Sequence, residues 1–227
     1  PMLHLFPGVI HTMEDNNFTI AKITHEIRNP LTLINSSLQL IESMHPEVKG
    51  YQFWSQTLED VEYVSQLLED LAVYSDKRRF FMCEVDLKEV ALSLQESLQP
   101  YILTNNIHFS LHLPSQLPPV FGNPLKLKQA FLNLLTNAFE AAGENGCVSM
   151  SIRKYLDMII IRISDDGCGM TPAAIETLFT PFSSSKPGGT GLGMAITQKI
   201  IKAHYGKIDV ASTPGRGTTF TITIPHI

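Results

Sequence analysis

Residues 163–170 read ISDDGCGM, and this stretch decides how the C-terminal half of the chain is interpreted. A strongly apolar run ends here in a carboxylate, Asp165, and two glycines, Gly167 and Gly169, follow at alternate positions. Taken alone, the stretch is explained by an acidic turn that closes a β-strand. Its neighbours decide whether the turn belongs to a binding site.

A second glycine-rich stretch follows at residues 188–194, which read GGTGLGM and open a predicted helix. Clustered glycines at a helix N-terminus let the backbone approach a phosphate, and the free N–H groups and helix dipole favour its negative charge. A plain flexible lid is the alternative. The stretch is not a P-loop, which needs GxxxxGK[ST]. It is not a Rossmann fingerprint either, because Met194 stands where the third glycine should be.

Upstream, a helix predicted over residues 123–142 carries two asparagines on one face. Asn133 and Asn137 are four residues apart, so their side chains project together. Asparagine is a mediocre helix former in mid-helix, although a capping or surface role explains either residue taken singly. An amide oxygen is a suitable ligand for a Mg²⁺ ion that already carries phosphates and waters.

The C-terminal half alternates helical and strand patterns. Helices are predicted over residues 86–104, 123–142 and 190–204, with Asp86 and Asn123 as N-caps. Strands are predicted over residues 107–113, 147–154, 158–164, 207–211 and 217–224. Helices on one face of a mostly antiparallel sheet make an α+β sandwich, which we expect over residues 83–227.

Residues 18–79 follow a helical rhythm instead. Isoleucines recur every seven residues, and a second series of seam positions is interleaved with them; the two series are Ile20, Ile27, Ile34, Ile41 and Thr24, Leu31, Leu38. A turn at residues 45–50 separates this pattern from a second one that starts at Trp54. Two helices cannot enclose a core, so we expect a helical hairpin over residues 1–82 that pairs with a second copy in a four-helix bundle.

The first predicted helix contains HEIRNP at residues 25–30. His25 falls just off the seam and shares an exposed face with Asn29, four residues on. A lone exposed histidine is usually an ordinary surface residue. Here, however, Pro30 stands inside a strong helix at a cost of about 3 kcal/mol, and such a departure from local consistency often marks a functional site. An HExxH zinc site is excluded, because its second histidine would be at position 29, which is Asn29.

Composition limits the classes of function. The chain has 227 residues, a formal net charge of −5 and 44% hydrophobic residues, which indicates a protein with a buried core. The acidic balance disfavours nucleic-acid binding. No apolar stretch reaches the roughly 18–20 residues that a membrane-spanning helix needs, and the N-terminus lacks a signal-peptide pattern. The three widely spaced cysteines fit a reducing, intracellular compartment.

The order and spacing of these motifs resemble those of sensor histidine kinases of two-component systems, within the wider gyrase, Hsp90, histidine kinase and MutL (GHKL) ATPases. The resemblance covers residues 84–225, and HEIRNP resembles the phosphoacceptor box of the same kinases. It implies a Bergerat-type ATP-binding fold behind an all-α hairpin. The motifs are Asn133-x-x-x-Asn137, Asp165-x-Gly167-x-Gly169, Phe179-x-Pro181-Phe182 and Gly189-x-Gly191-x-Gly193.

The resemblance implies a role for each site residue. Asp165 accepts the adenine amine, Asn137 holds Mg²⁺ against the triphosphate, and Asn133 assists. The other residues implied to bind the nucleotide are Gly167, Gly169, Lys186, Gly189, Gly191, Leu192, Gly193 and Thr219, although a solvated Lys186 and a sheet-face Thr219 are the alternatives. Hydrolysing members of the superfamily have a glutamate where this chain has Asn133. An amide cannot act as general base, so the ATP is held for another acceptor.

That acceptor is implied to be His25, whose neutral imidazole attacks the γ-phosphoryl group while Glu26 holds the Nδ1 proton. The phosphoryl group then passes to an aspartate on the receiver domain of a response regulator. Asn29 occupies the position at which the family orients water for dephosphorylating the regulator. A phosphotransfer or scaffold protein that has lost ATP binding is the alternative function. We expect a cytoplasmic homodimer of the sporulation or nitrogen-regulation type. It is either a fragment of a longer sensor, with or without a membrane anchor, or a kinase that a separate partner regulates.

Overall fold

The computed structural model describes residues 8–75, 81–183 and 189–227. The described chain falls into two compact units. The first comprises residues 8–75 together with residues 189 and 190, and the second comprises residues 81–183 and 191–227. Each unit is described by itself below.

The first unit is the expected helical hairpin. Helix α1 (Gly8–Met44) runs through Pro30, a short 3₁₀ turn spans Pro46–Gly50, and helix α2 (Trp54–Ser75) returns. The turn is fixed by Glu42, which accepts a hydrogen bond from the Trp54 indole (3.1 Å) and pairs with the Lys49 ammonium (2.9 Å). Both groups stabilise the ionised carboxylate and lower the pKa of Glu42.

The hairpin buries few side chains by itself. Among its residues whose side chains the structure describes, only Thr24, Val48 and Leu68 are buried. The two interleaved series of seam positions differ in exposure. Ile34, of the isoleucine series, is 49% exposed, whereas Leu31 and Leu38, of the other series, are partly covered. One series of the heptad therefore faces within the hairpin, and the other presents an apolar stripe to its surroundings.

The second unit is an α+β sandwich, as expected. Its helices and strands in chain order are β1 (Cys83–Val85), α3 (Leu87–Thr104), β2 (His108–His112), β3 (Val120–Gly122), α4 (Pro124–Ala142), β4 (Cys147–Tyr155), β5 (Met158–Asp165), α5 (Pro172–Thr177), α6 (Gly193–Ala203), β6 (Lys207–Thr213) and β7 (Gly217–Pro225). The two predicted N-caps are confirmed. Asp86 accepts from the Lys88 N–H (2.7 Å), and Asn123 accepts from the Lys126 N–H (2.9 Å).

The main sheet has five strands in the order β2-β4-β5-β7-β6. The pair β2–β4 is parallel, and the other neighbours are antiparallel. In the β5–β7 register, Asp165 lies opposite Thr218 and Ser164 lies opposite Thr219. A separate two-stranded sheet, which the sequence analysis did not predict, pairs β1 with β3 antiparallel.

One face of the main sheet forms the core against α4 and α6. Alternate residues of the three central strands are buried there; they are Val148, Met150, Ile152, Ile159, Ile161, Ile163, Phe220, Ile222 and Ile224. The opposite face carries serine, threonine and arginine. This alternation is what a sheet with helices on one side requires.

The segment between β5 and α6 differs from the prediction in two ways. It contains the short helix α5, for which Thr171 provides the N-cap by accepting from the Ala174 N–H (3.3 Å). Helix α6 begins at Gly193 rather than at Thr190, because Gly191 has a positive φ of 67° that an α-helix does not tolerate. Across the described ranges, no helix has the length and apolar character needed to cross a bilayer.

Candidate functional site

The start of α6 packs against the middle of α4 through the two asparagines. The Asn133 side-chain amide donates to the Thr197 hydroxyl (2.8 Å), and the Asn137 amide donates to the Asn133 carbonyl (2.9 Å). The Met194 sulfur lies 3.4 Å from the Asn137 amide nitrogen. The structure therefore brings the asparagine pair and the glycine-rich stretch to one place.

The close approach of the two helices depends on Gly193. The Cβ atom of a side chain at this position would lie 2.6 Å from Asn133 Oδ1, a distance shorter than Cβ atoms show to their neighbours in proteins. The preceding Leu192 is fully buried and anchors the start of the helix in the core. Glycine here leaves room for the Asn133 amide beside the first N–H groups of α6.

Gly191 shapes the other side of the glycine-rich stretch. Its carbonyl accepts a hydrogen bond from the Phe182 N–H (3.0 Å), and a side chain on it would lie 2.6 Å from the Phe182 carbonyl carbon. The Phe-Pro-Phe motif thus lies beside the glycine motif, although the Phe182 ring itself is 65% exposed. Gly189 is exposed, and Lys186 lies outside the described residues.

The acidic turn is held rigidly at the end of β5. Asp165 Oδ1 accepts from the N–H groups of Gly167 (3.0 Å) and Thr218 (3.2 Å). A side chain at Gly167 would collide with the carbonyl of Ala141 in the last turn of α4. Gly169 adopts a positive φ of 64° and passes against the Thr213 carbonyl. Both glycines of the motif are therefore required by close backbone contacts.

These contacts show that three sequence motifs converge on α4. The asparagine pair is part of the helix, the glycine motif packs against its middle through Gly193, and the acidic turn packs against its last turn through Gly167. Residues far apart in sequence thus lie along the C-terminal half of one helix. A polar site bordered by N–H groups, amides and a carboxylate results.

The structure does not place Thr219 with Asp165. Successive strand residues face opposite sides of a sheet, and the Thr219 hydroxyl lies on the polar face, 2.8 Å from that of Ser164. Its neighbour Thr218 is buried on the face of Asp165, with its hydroxyl 2.9 Å from that of Ser212. The structure thus favours the alternative of a sheet-face Thr219, and it brings Thr218, which the sequence analysis did not name, beside Asp165. The even spacing of Thr218 from the buried Phe220 could have revealed it.

A cleft of about 490 Å³ opens on the second unit beside the acidic turn. Its lining includes Asp165 and Asp166 of that turn, together with residues of β2 and β4 and Arg216. Neither asparagine and none of the motif glycines lines it, so the cleft borders the acidic turn and does not reach the contact between α4 and α6.

Helix α1 carries the remaining site residues. Glu26 and Asn29 are exposed on it, and the Thr32 hydroxyl donates to the Arg28 carbonyl (2.9 Å). Pro30 has no N–H, so the helical hydrogen bond to the carbonyl of residue 26 cannot form. The side chain of His25 lies outside the described side chains, and its predicted exposure stays a prediction.

Comparison with known proteins gives the same two-part organisation. Residues 15–79 match the His Kinase A (phospho-acceptor) domain family. Residues 122–227 match the histidine kinase-, DNA gyrase B-, and HSP90-like ATPase family. The catalytic domain of the histidine kinase ThkA has 29% identity and a TM-score of 0.60, over 65% of this chain and 97% of that chain.

Two curated relatives match nearly the whole chain. The signal transduction histidine-protein kinase AtoS of Escherichia coli K12 is 32% identical over 207 residues, which cover 91% of this chain and 34% of AtoS. Sporulation kinase E of Bacillus subtilis is 31% identical over 208 residues, which cover 90% of this chain and 28% of the relative. The chain thus spans about a third of the length of these relatives. With both domain families matched in this order, the chain belongs to the two-component sensor histidine kinases.

Proposed function

We propose that the chain is the catalytic core of its kinase, which binds Mg-ATP, phosphorylates His25 and passes the phosphoryl group to an aspartate of a response regulator. The convergence of the three motifs on α4 is the observation that carries this proposal. Residues 1–82 form the dimerisation and phosphotransfer domain, and residues 83–227 form the ATP-binding domain. The proposed location is the cytoplasm.

The residues present fit a magnesium-bound triphosphate. A side chain at Gly191 would collide with the Phe182 backbone and one at Gly193 with the Asn133 amide, so glycine at both positions keeps the backbone turn that leads into the N–H groups at the start of α6. Among the described residues no cluster of His, Cys, Asp or Glu could hold a metal ion. The proposed protein ligand of the metal is the amide oxygen of Asn137, whose side chain lies beside Met194 at the start of α6. When bound, the ion neutralises charge on the phosphates.

Asp165 recognises the adenine in this proposal. Two backbone N–H groups fix its carboxylate, so the acceptor for the exocyclic amine is oriented before the nucleotide arrives. The buried Thr218 borders the same side of the sheet and replaces Thr219 as the proposed pocket hydroxyl. Asn133 stays with the phosphates, because an amide cannot take a proton from water.

Phosphoryl transfer joins His25 Nε2 to the γ-phosphorus of ATP, and the bond from that phosphorus to the β,γ-bridging oxygen breaks. ADP leaves with the bond's electron pair. Glu26 stabilises the proton on Nδ1 during the attack, which keeps Nε2 nucleophilic. The phosphohistidine then donates its phosphoryl group to the regulator's aspartate.

Incubation with γ-labelled ATP and Mg²⁺ tests this function. The wild-type protein should gain acid-labile, base-stable label, and His25→Ala should gain none. His45→Ala is the matched control, because His45 is an exposed histidine of the same hairpin and its loss should leave labelling intact. If the wild-type protein binds no ATP, the chain is instead a phosphotransfer or scaffold protein.

We also propose a phosphatase activity toward the phosphorylated regulator, supported by the exposure of Asn29 one turn after His25. Its amide orients the attacking water. Asn29→Ala should keep autophosphorylation near the wild-type rate and lose the release of phosphate from the regulator. Ser36→Ala, also exposed on α1, should change neither rate. Unchanged phosphate release in Asn29→Ala would remove Asn29 from this role.

A further inference from the structure

The C-terminal end of α6 is fastened by a buried histidine. His204 is fully buried, and its Nε2 lies 2.9 Å from the backbone nitrogen of Asn123. That N–H donates, so Nε2 accepts, and Nδ1 carries the proton that it donates to the Ile200 carbonyl at 2.7 Å. The imidazole is neutral in this arrangement, and burial lowers its pKa.

Asn123 extends this contact to the segment that arrives from the hairpin. Its Oδ1 caps α4, and its Nδ2 donates to the carbonyl of Phe81 (2.9 Å). Cys83, two residues later, pairs with Gly122 in the two-stranded sheet. We call residues 81–83 the linker segment. It is therefore attached to the second unit at Gly122 and Asn123.

Gly122 leaves no space between the linker segment and His204. A side chain at this position would begin 2.6 Å from Cδ2 of the imidazole. The β1–β3 pairing and the Phe81 hydrogen bond thus both rest on two residues that the imidazole touches directly. A shift of His204 must move these residues or break the partly buried hydrogen bond from the Asn123 N–H.

Helix α6 therefore connects two places on α4. Its first turns meet Asn133 and Asn137 at the proposed phosphate site, and its C-terminal end meets Asn123. The helix has 11 residues and is about 16 Å long, which is short enough to move as a rigid rod. In a helix that moves as a rigid rod, a displacement of the start also displaces the end.

We propose that His204 and Asn123 are positioning residues that couple occupancy of the nucleotide site to the linker segment, and so control transfer to His25 without contacting ATP. This inference rests on the proposed function. It assigns to Asn123 a role separate from helix capping, carried by its side-chain N–H groups alone.

Asn123→Asp tests the inference in the full chain. Aspartate keeps the oxygen that caps α4 but has no N–H for the Phe81 carbonyl. We expect the ATP dissociation constant to stay within about twofold, and the autophosphorylation rate to fall about fivefold or more, the size of one lost hydrogen bond. ATP should no longer slow amide hydrogen exchange across residues 81–85.

Asn105→Asp is the matched control. Asn105 ends α3, and its Nδ2 donates to the Tyr101 carbonyl (2.9 Å), so the substitution removes the same kind of bond away from the linker segment. Asn105→Asp should leave the autophosphorylation rate and the ATP-dependent hydrogen exchange of residues 81–85 as they are in the wild type. His204→Gln, whose amide oxygen can still accept from the Asn123 N–H, should keep most of the coupling that His204→Asn loses.

The outcomes separate the two proposals. If the wild-type protein neither binds ATP nor labels His25, the proposed function fails. If it does both, and Asn123→Asp labels at the wild-type rate with the same ATP-dependent exchange, the coupling is overturned. A parallel loss in Asn105→Asp would also overturn it, because the effect would then be general destabilisation.

Discussion

The side-chain oxygen of Asn133 lies 2.6 Å from the point at which a side chain on residue 193 would begin. Alanine normally stabilises a helix relative to glycine, so Gly193→Ala should not weaken α6. It should instead displace the Asn133 amide and raise the ATP dissociation constant at least about tenfold, the effect of losing one strong hydrogen bond. Equilibrium titration with ATP measures this.

Gly50→Ala is the control for that substitution, because a side chain there meets nothing within 4 Å. It should leave ATP affinity unchanged. Wild-type affinity in Gly193→Ala would show that α4 and α6 can separate without cost, against the contacts described above.

Asp165→Asn tests separately whether this residue stabilises the turn and whether it recognises adenine. The amide oxygen can still accept from the Gly167 and Thr218 N–H groups, so the free energy of unfolding should change by less than about 1 kcal/mol. The amide supplies a weaker acceptor for adenine, so ATP binding should fall by about tenfold or more. Denaturant unfolding measures the change in stability, and ATP titration measures the change in affinity. The control is Asp157→Asn, at an exposed acid between β4 and β5, which should change neither stability nor ATP affinity.

Thr218 and Thr219 offer a matched pair of hydroxyls on opposite faces of β7. Thr218→Val removes the hydroxyl beside Ser212 on the side of Asp165, and should weaken ATP binding several-fold. Thr219→Val removes the partner of Ser164 on the polar face, and should leave ATP binding within about twofold. The reverse order of effects would restore Thr219 as the pocket residue.

Burial lowers the pKa of His204 below its ordinary value of 6.5, and this makes stability depend on pH. Below pH 6.5 the unfolded chain takes up a proton at His204 that the folded chain does not bind, so folding weakens as the pH falls. The slope approaches about 1.4 kcal/mol per pH unit until the folded imidazole also titrates. Denaturant unfolding between pH 8 and 5 should therefore show a steeper loss for the wild type than for His204→Gln. Equal slopes would mean that residue 204 is not the group responsible.

The exposed stripe of α1 predicts the oligomeric state. Ile34→Glu places a charge in the stripe and should convert a dimer into monomers in analytical ultracentrifugation. Ser36→Glu adds the same charge to an exposed position off the stripe and should leave the dimer intact. A wild-type protein that is monomeric at micromolar concentration would contradict the four-helix bundle.

Much of this architecture is predictable because its signals are local. Asp86 and Asn123 mark the helix starts correctly, since the capping hydrogen bond joins the side chain to the first turn of its own helix. The boundary between the two halves of the chain is predictable because apolar residues recur every seven positions in the helical half and at alternate positions in the strands of the other half. The glycine and asparagine motifs are each ambiguous when taken singly, and their order and spacing become informative through the resemblance to histidine kinases.

The misses are features that depend on distant parts of the chain. The β1–β3 pair has three residues per strand, and it forms only because Gly122 is held between the linker segment and His204. The sheet faces on which Thr218 and Thr219 lie depend on the pairing register with β5, because a shift of one residue would move every side chain of the strand to the opposite face. The start of α6 was misplaced because the positive φ at Gly191 is imposed by its contact with Phe182.

The place of β7 between β5 and β6 also sets the order of events during synthesis. The last strand of the chain is an inner strand, so the sheet cannot close until residues 217–225 have left the ribosome. About 150 residues separate that strand from the end of α2, which corresponds to roughly 8–30 s of translation. The hairpin is therefore complete and able to find a second hairpin while no nucleotide pocket yet exists.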